Sequence, residues 1–159
     1  MARFIPILLL LTLFLSAKTI QFSEEKYHEA LDKSFTKEGN ITFLDKSMEI
    51  EYKNTKEKLI YSGNLLVIEK AGERKEINIE NKPSIKMFFV LFDAIYFERK
   101  EILDSYFNNK TENSVQKLMP KALIASYIDS VIFKKSNQKL IFLEINFHSG
   151  DRIHIEELD

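Results

Sequence analysis

Met48-Glu49-Ile50-Glu51-Tyr52 alternates apolar and charged residues without a slip. Successive side chains of a strand point to opposite faces, so this segment puts Met48, Ile50 and Tyr52 on one side and Glu49 and Glu51 on the other. It reads as a strand buried on one face. Working outward, Ile41 and Phe43 alternate with Asn40 and Thr42 before it, and Leu59 and Tyr61 resume the period after it. Gly63-Asn64 marks a tight hairpin turn. Leu65 to Ile68 is a continuous apolar run, the pattern of a strand covered on both faces. Gly72 breaks the chain, and Ile77 and Ile79 then alternate with Glu76, Asn78 and Glu80. Later, Asp129 to Phe133, Leu140 to Phe147 and Arg152 to Ile155 read as strands. Ser136-Asn137 and Ser149-Gly150-Asp151 supply their turns. Leu140 to Leu143 has a mixed pattern that fits either of two registers, and a one-residue slip would exchange its faces. Short strands with short polar turns predict an antiparallel sheet that curls on itself.

Three stretches depart from this period. Glu24 to Ser34 spaces Tyr27 and Leu31 four apart on a polar background, which predicts a weak amphipathic helix. Pro83 to Phe97 places Phe88, Leu91, Phe92 and Ile95 at helical spacing, with Ser84 as a candidate cap. Phe89 and Tyr96 point elsewhere, so this helix is apolar nearly all round, as buried helices are. It either faces a cavity or partner on one side or plugs the core. Met119 to Tyr127 fits a helical turn through Leu123 and Tyr127, or a loop entering a strand at Pro120.

Composition narrows the function. Lys and Arg number 23 against 24 Asp and Glu, a net charge of −1, and no basic stripe is present. Nucleic acid, bound largely through neutralised phosphates, is therefore not an expected partner. The absence of Cys excludes disulfides, thiolate catalysis and a cysteine-borne lipid anchor. Arg3, the apolar run Phe4 to Leu15 and the small pair Ser16-Ala17 have the layout of a secretory signal peptide. Residues 1–17 are thus expected to be a leader cleaved near Ala17, and 18–159 a single domain working in the periplasm. Retention of the leader as an anchor is the alternative, although a spanning helix needs about 20 apolar residues.

Chemistry is quiet. His148 and His154 flank the Ser149-Gly150-Asp151 turn, with Asp151 the only local companion ligand, and match no His-based zinc motif. No nucleophile elbow, P-loop or dinucleotide fingerprint occurs. No cofactor, metal or enzymatic activity is expected. A curved sheet lined by Phe, Met, Ile and Leu under an apolar helix could instead shelter acyl chains. Each buried methylene is worth about 0.8 kcal/mol, and Met adapts to variable shapes.

In order and spacing, these segments resemble the LolA-like periplasmic carriers of outer-membrane lipoproteins. Glu38-Gly39-Asn40-Ile41-Thr42-Phe43 resembles the family's strand with a Gly-x-aliphatic start, and Met48 to Tyr52 its aromatic-ended successor. Lys58 to Ile68 is similar to the family hairpin, and Pro83 to Ile95 falls where a helix covers the cavity. Tyr106-Phe107 and Leu118-Met119-Pro120-Lys121 resemble the later strand pair. Ile141 to Phe147, Gly150-Asp151 and Arg152 to Ile155 resemble the closing hairpin. Leu44-Asp45-Lys46 stands where these carriers have Arg-Pro, so the arginine that helps hold the lid closed has no counterpart.

The resemblance implies a mainly β, α+β fold, an incomplete antiparallel half-barrel under a helical lid. It implies a carrier, monomeric, whose cargo is an acylated lipoprotein or another lipid. An inner-membrane ATP-driven release complex would supply the cargo and an outer-membrane acceptor receive it. The expected lipid-binding wall and lid comprise Phe43, Met48, Ile50, Tyr52 and Tyr61 with Met87, Phe88, Leu91, Phe92 and Ile95. Two other readings compete: an envelope interaction module docking through the same face, and, last, a lipid-modifying enzyme.

Overall fold

The computed structural model describes residues 17–159. The expected leader lies outside the described residues apart from Ala17. Eleven strands form one antiparallel sheet: β1 (Lys18–His28), β2 (Lys33–Phe43), β3 (Met48–Tyr52), β4 (Glu57–Ser62), β5 (Leu65–Lys70), β6 (Glu73–Asn78), β7 (Phe107–Glu112), β8 (Val115–Pro120), β9 (Ile128–Ser136), β10 (Lys139–Phe147) and β11 (Arg152–Glu157). Two helices, α1 (Pro83–Tyr96) and α2 (Lys100–Tyr106), connect β6 to β7. The spatial order is β6-β5-β4-β3-β2-β1-β11-β10-β9-β8-β7. Every neighbouring pair is consecutive in sequence except β1 and β11, whose pairing joins the two ends of the chain. The sheet stays open between β6 and β7, the two edges that the helices span. This is the half-barrel with a helical cover that the sequence predicts.

One hydrophobic cluster contains Leu66 of β5, Phe43 of β2, Phe22 of β1, Ile155 of β11, Leu118 of β8 and seven buried residues of α1. Strands at opposite ends of the order share that core because the sheet wraps around α1. Hairpin chemistry supports the wrapping. Asn113-Ser114 and Asn137-Gln138 both take positive φ in two-residue turns, the conformation whose twist matches paired strands. Leu66 and Val67 are both buried, so β5 is covered on both faces there, as its continuous apolar run requires.

Two local expectations are corrected, and one short helix is added. Glu24 to Ser34 is not a helix. β1 runs extended to His28, paired with β2 on one side and β11 on the other, and a single 3-10 turn at Glu29–Leu31 leads through Asp32 in the left-handed region into β2. Its inward row is Ile20, Phe22, Glu24, Lys26 and His28, so the period of two continues while the inward residues turn polar. That change of polarity concealed the strand. Helix α1 is entered through Lys82, with Pro83 in its first turn and no side-chain cap. Proline's fixed φ starts the helix one residue before Ser84 could cap it. Helix α2, seven residues with only Leu103 buried, has too short a period to register in sequence. Met119 to Tyr127 splits between its two readings: β8 continues to Pro120, and a 3-10 helix follows over Ala122–Ser126.

The register question over Leu140 to Leu143 also has an answer. A β-bulge lies between Leu140 and Phe142, so Leu140 and Leu143 are both buried while Ile141 is exposed. One extra residue moves the inward set from even to odd positions.

Gly39 holds a different constraint. It pairs with Phe22 on one side and Tyr52 on the other, and those two rings meet edge-on with centroids 5.8 Å apart. A Cβ at Gly39 would lie 2.3 Å from the Glu51 carbonyl oxygen and 2.9 Å from the Phe22 ring. The Gly39→Ala variant will lose about 1–3 kcal/mol, the usual range for forced overpacking. Urea unfolding measures it; an unchanged midpoint would show that β2 and β3 separate without cost.

Candidate functional site

The sheet brings all ten expected wall and lid residues to one interior. Phe43, Met48, Ile50 and Tyr52 of β2 and β3 face Met87, Leu91, Phe92 and Ile95 of α1, and these eight are buried. Tyr61 and Phe88 are partly buried against them. The contacts are aromatic and specific. Phe43 stacks on Tyr96 at 4.5 Å and lies parallel to Phe92 at 5.9 Å, while Tyr61 stacks on Phe89 at 4.6 Å. Along this length α1 packs against the sheet, and a groove of about 270 Å³ remains at its flank, lined by Met48, Tyr61, Phe89 and Asp93.

The C-terminal end of α1 is fastened from the sheet. Lys135 of β9 donates to the Tyr96 carbonyl at 2.7 Å and pairs with Glu98 at 2.8 Å. A cation on the last carbonyls of a helix also opposes its dipole. Arg99 pairs with Asp93 at 2.7 Å beside it. The chain therefore holds this end of its helix from β9. The fit carries one internal penalty: the Tyr96 hydroxyl is buried with no hydrogen-bond partner among the described residues, at a cost of about 1–3 kcal/mol.

The N-terminal half of α1 seals less. Two adjoining grooves run beside it, of about 550 Å³ and about 450 Å³. They share Lys26, Leu59, Phe88 and Ile153. The larger extends to the β1–β2 tip, where Leu31 and Phe35 are exposed. The smaller runs under α1 past Leu66, Ile68 and Ile85 to Phe147. Of the ten expected residues, only Tyr52 and Phe88 line these grooves. Sequence reasoning missed Leu59, Ile68, Ile85 and Ile153. Leu59 carried a usable signal, since it lies two residues from Tyr61 and on the same face.

Polar groups gather in the larger groove. The Tyr52 hydroxyl donates to the Glu24 carboxyl at 3.1 Å. Lys37 lies 4.4 Å over the Tyr52 ring and 3.3 Å from Glu57, which also pairs with Lys70 at 3.6 Å. Burial pushes the Glu24 carboxyl above its ordinary range, against the Tyr52 hydrogen bond and the charges of Lys37 and Lys26, which pull it down. Burial and the neighbouring Glu24 push the Tyr52 phenol up as well. The fold thus favours protonated Glu24. That contribution is complete below the ordinary value of 4.5 and is lost as the pH rises through the raised native value. The Glu24→Gln variant keeps an acceptor for Tyr52 and removes the titration. Wild type will lose stability relative to this variant as the pH climbs from 4.5 through the raised native value. Thermal unfolding across that range reads the difference, and two parallel curves would contradict it.

The histidines take separate partners. His148 contacts the Ala125 carbonyl at 2.7 Å, and His154 lies against Phe142 between Glu144 and Glu156. Among the described residues no group of three His, Cys, Asp or Glu side chains could hold a metal ion.

No protein-family model and no curated protein matches this sequence. Solved structures do resemble it in fold. The LolA superfamily protein of Nitrosomonas europaea is 7% identical, with a TM-score of 0.42 over 91% of this chain and 85% of that one. An outer membrane lipoprotein-sorting protein domain from Vibrio parahaemolyticus is 9% identical, with a TM-score of 0.48 over 89% and 83%. The lipoprotein LppX of Mycobacterium tuberculosis is 6% identical, with a TM-score of 0.43 over 89% and 85%.

Proposed function

We propose that this chain is a periplasmic carrier that binds the acyl chains of a lipoprotein or another lipid, without covalent chemistry, and ferries them toward the outer membrane. The observation that carries the reading is the pair of adjoining grooves beside the N-terminal half of α1, joined along the apolar side chains Leu59, Phe88 and Ile153. An acyl chain laid against Leu59, Ile68, Ile85, Phe88 and Ile153 leaves water with a gain of about 0.8 kcal/mol per methylene. The helix is anchored at one end by Lys135, and the unpaired Tyr96 hydroxyl offsets part of what its closed position gains. Loading therefore widens the free end first, and the residues nearest the expected wall separate as cargo enters. The sequence resemblance from about Phe35 to Leu158 supports a lipoprotein cargo, an inner-membrane ATP-driven donor and an outer-membrane acceptor.

A titration of the purified protein with a fluorescent fatty-acyl probe, followed by competition, tests this. Saturable binding displaced by acylated competitors is the expected result, and displacement by a triacylated lipopeptide alone would mark lipoprotein as the cargo. Displacement by a phospholipid as well would broaden the cargo to lipids in general. The absence of saturable binding to folded protein would overturn the reading. The dense packing of Phe43, Phe92 and Tyr96 would then belong to an ordinary core, and a docking module of the envelope would be the better account.

A further inference from the structure

The grooves hold three basic side chains, and two of them are already engaged. Lys37 is held by Glu57 and the face of Tyr52. His28 faces Asp151 at 3.9 Å, and that carboxylate also accepts the Glu29 N–H at 3.0 Å. Lys26 is different. It lines both grooves at their junction and makes no hydrogen bond or ion pair within 4 Å among the described residues. Its inward neighbour Glu24 acts on it only through space and is occupied by the Tyr52 hydroxyl. Cross-strand from Lys26 stands Ile153, and Leu59 and Phe88 complete the apolar surroundings. An ammonium against such a wall attracts an anion more strongly than one in bulk water, because the attraction scales inversely with dielectric.

A second feature points the same way. The N-terminus of α1 opens on this groove through Ser84 and Ile85, with no side-chain cap and no acidic residue in its first turn. Its free N–H groups carry a fixed partial positive charge. Apolar walls, an unpaired ammonium and an uncapped helix start therefore line one groove, with the Asp151 carboxylate, which accepts the Glu29 N–H, also on its wall.

We propose that the groove takes an acyl chain ending in an anionic head, a carboxylate or a phosphate, with Lys26 as its counter-ion. The inference rests on the carrier reading and names the chemistry of the cargo end that stays at the mouth. The chain lies along Leu59, Ile68, Ile85 and Phe88, and the head remains at the junction, within reach of solvent.

Displacement of the neutral probe N-phenyl-1-naphthylamine tests it, using dodecanoate, dodecyl phosphate and neutral monododecanoylglycerol below their micelle concentrations. The two anions will displace the probe about tenfold or more better than the neutral ester, as expected for a charge-assisted contact. Comparison of the two anions tells a fatty-acid head from a phospholipid-type phosphate. Lys26→Gln will erase the preference of anionic over neutral competitors, and Lys26→Arg will retain it. Equal displacement by anionic and neutral competitors, or a preference that survives in Lys26→Gln, would overturn the inference and leave the carrier reading intact. Failure of the probe and of all three amphiphiles to bind would overturn both.

Discussion

Truncating Phe92 to alanine will lower the unfolding free energy by about 3–5 kcal/mol, the range for removing a fully buried phenylalanine. Phe92 is 1% exposed and sits where helix and sheet meet. Its ring lies parallel to Phe43 at 5.9 Å and joins Phe88 at 6.3 Å and Tyr96 at 6.4 Å. Deleting it removes the middle of that stack, and the neighbouring rings, fixed from β2 and from α1 itself, cannot all close the gap. α1 makes no strand-like pairing with the sheet, so inward side chains and Lys135 carry its attachment. The loss therefore falls on α1 first. Urea unfolding followed by fluorescence and by far-ultraviolet circular dichroism will show a lower midpoint. A change under about 1 kcal/mol would show that the helix is only loosely seated.

Phe88→Asp will instead separate binding from folding. Phe88 is one turn before Phe92 on α1, but only partly buried, and it is the aromatic side chain common to both grooves. A carboxylate there meets the acyl chain directly while remaining close to solvent. Affinity for the acyl probe will fall about thirtyfold or more, equivalent to roughly 2 kcal/mol of lost contact and added desolvation. The stability change will stay near 1 kcal/mol, because the site is already partly wet. Parallel losses in binding and stability would place Phe88 in the core and contradict the groove. Leu91 is no substitute for this test. It is 1% exposed under the sealed part of α1, so a charge there destabilises the whole fold.

Much of the architecture was legible because strands announce themselves by a period of two wherever their inward residues are apolar. Met48-Glu49-Ile50-Glu51-Tyr52 is such a case, and it became β3 over the residues read. β1 was illegible for the opposite reason. Its inward residues Glu24, Lys26 and His28 line the open groove rather than the dry core, so polarity no longer marked the face. The local rule failed where the molecule is hollow, which is also where a site belongs. Likewise the bulge at Ile141 follows from pairing between strands, which a single segment does not encode. The apolar circumference of α1 was readable, and it located the helix that packs inside the curved sheet. Which half of that helix is sealed was not, since this depends on a ring from another strand: Phe43 of β2 reaches Phe92 and Tyr96 toward the C-terminal end.

The central claim is that an acyl chain lies between the N-terminal half of α1 and the sheet. Photo-crosslinking with a fatty acid carrying a diazirine near its tail, mapped by mass spectrometry, tests it most directly. The account predicts adducts on Ile85, Phe88 and the facing residues Leu59, Ile68 and Ile153, all suppressed by excess unlabelled fatty acid. Adducts confined to the outer face of the sheet, around Ile132 and Phe142, or insensitive to competitor, would contradict it.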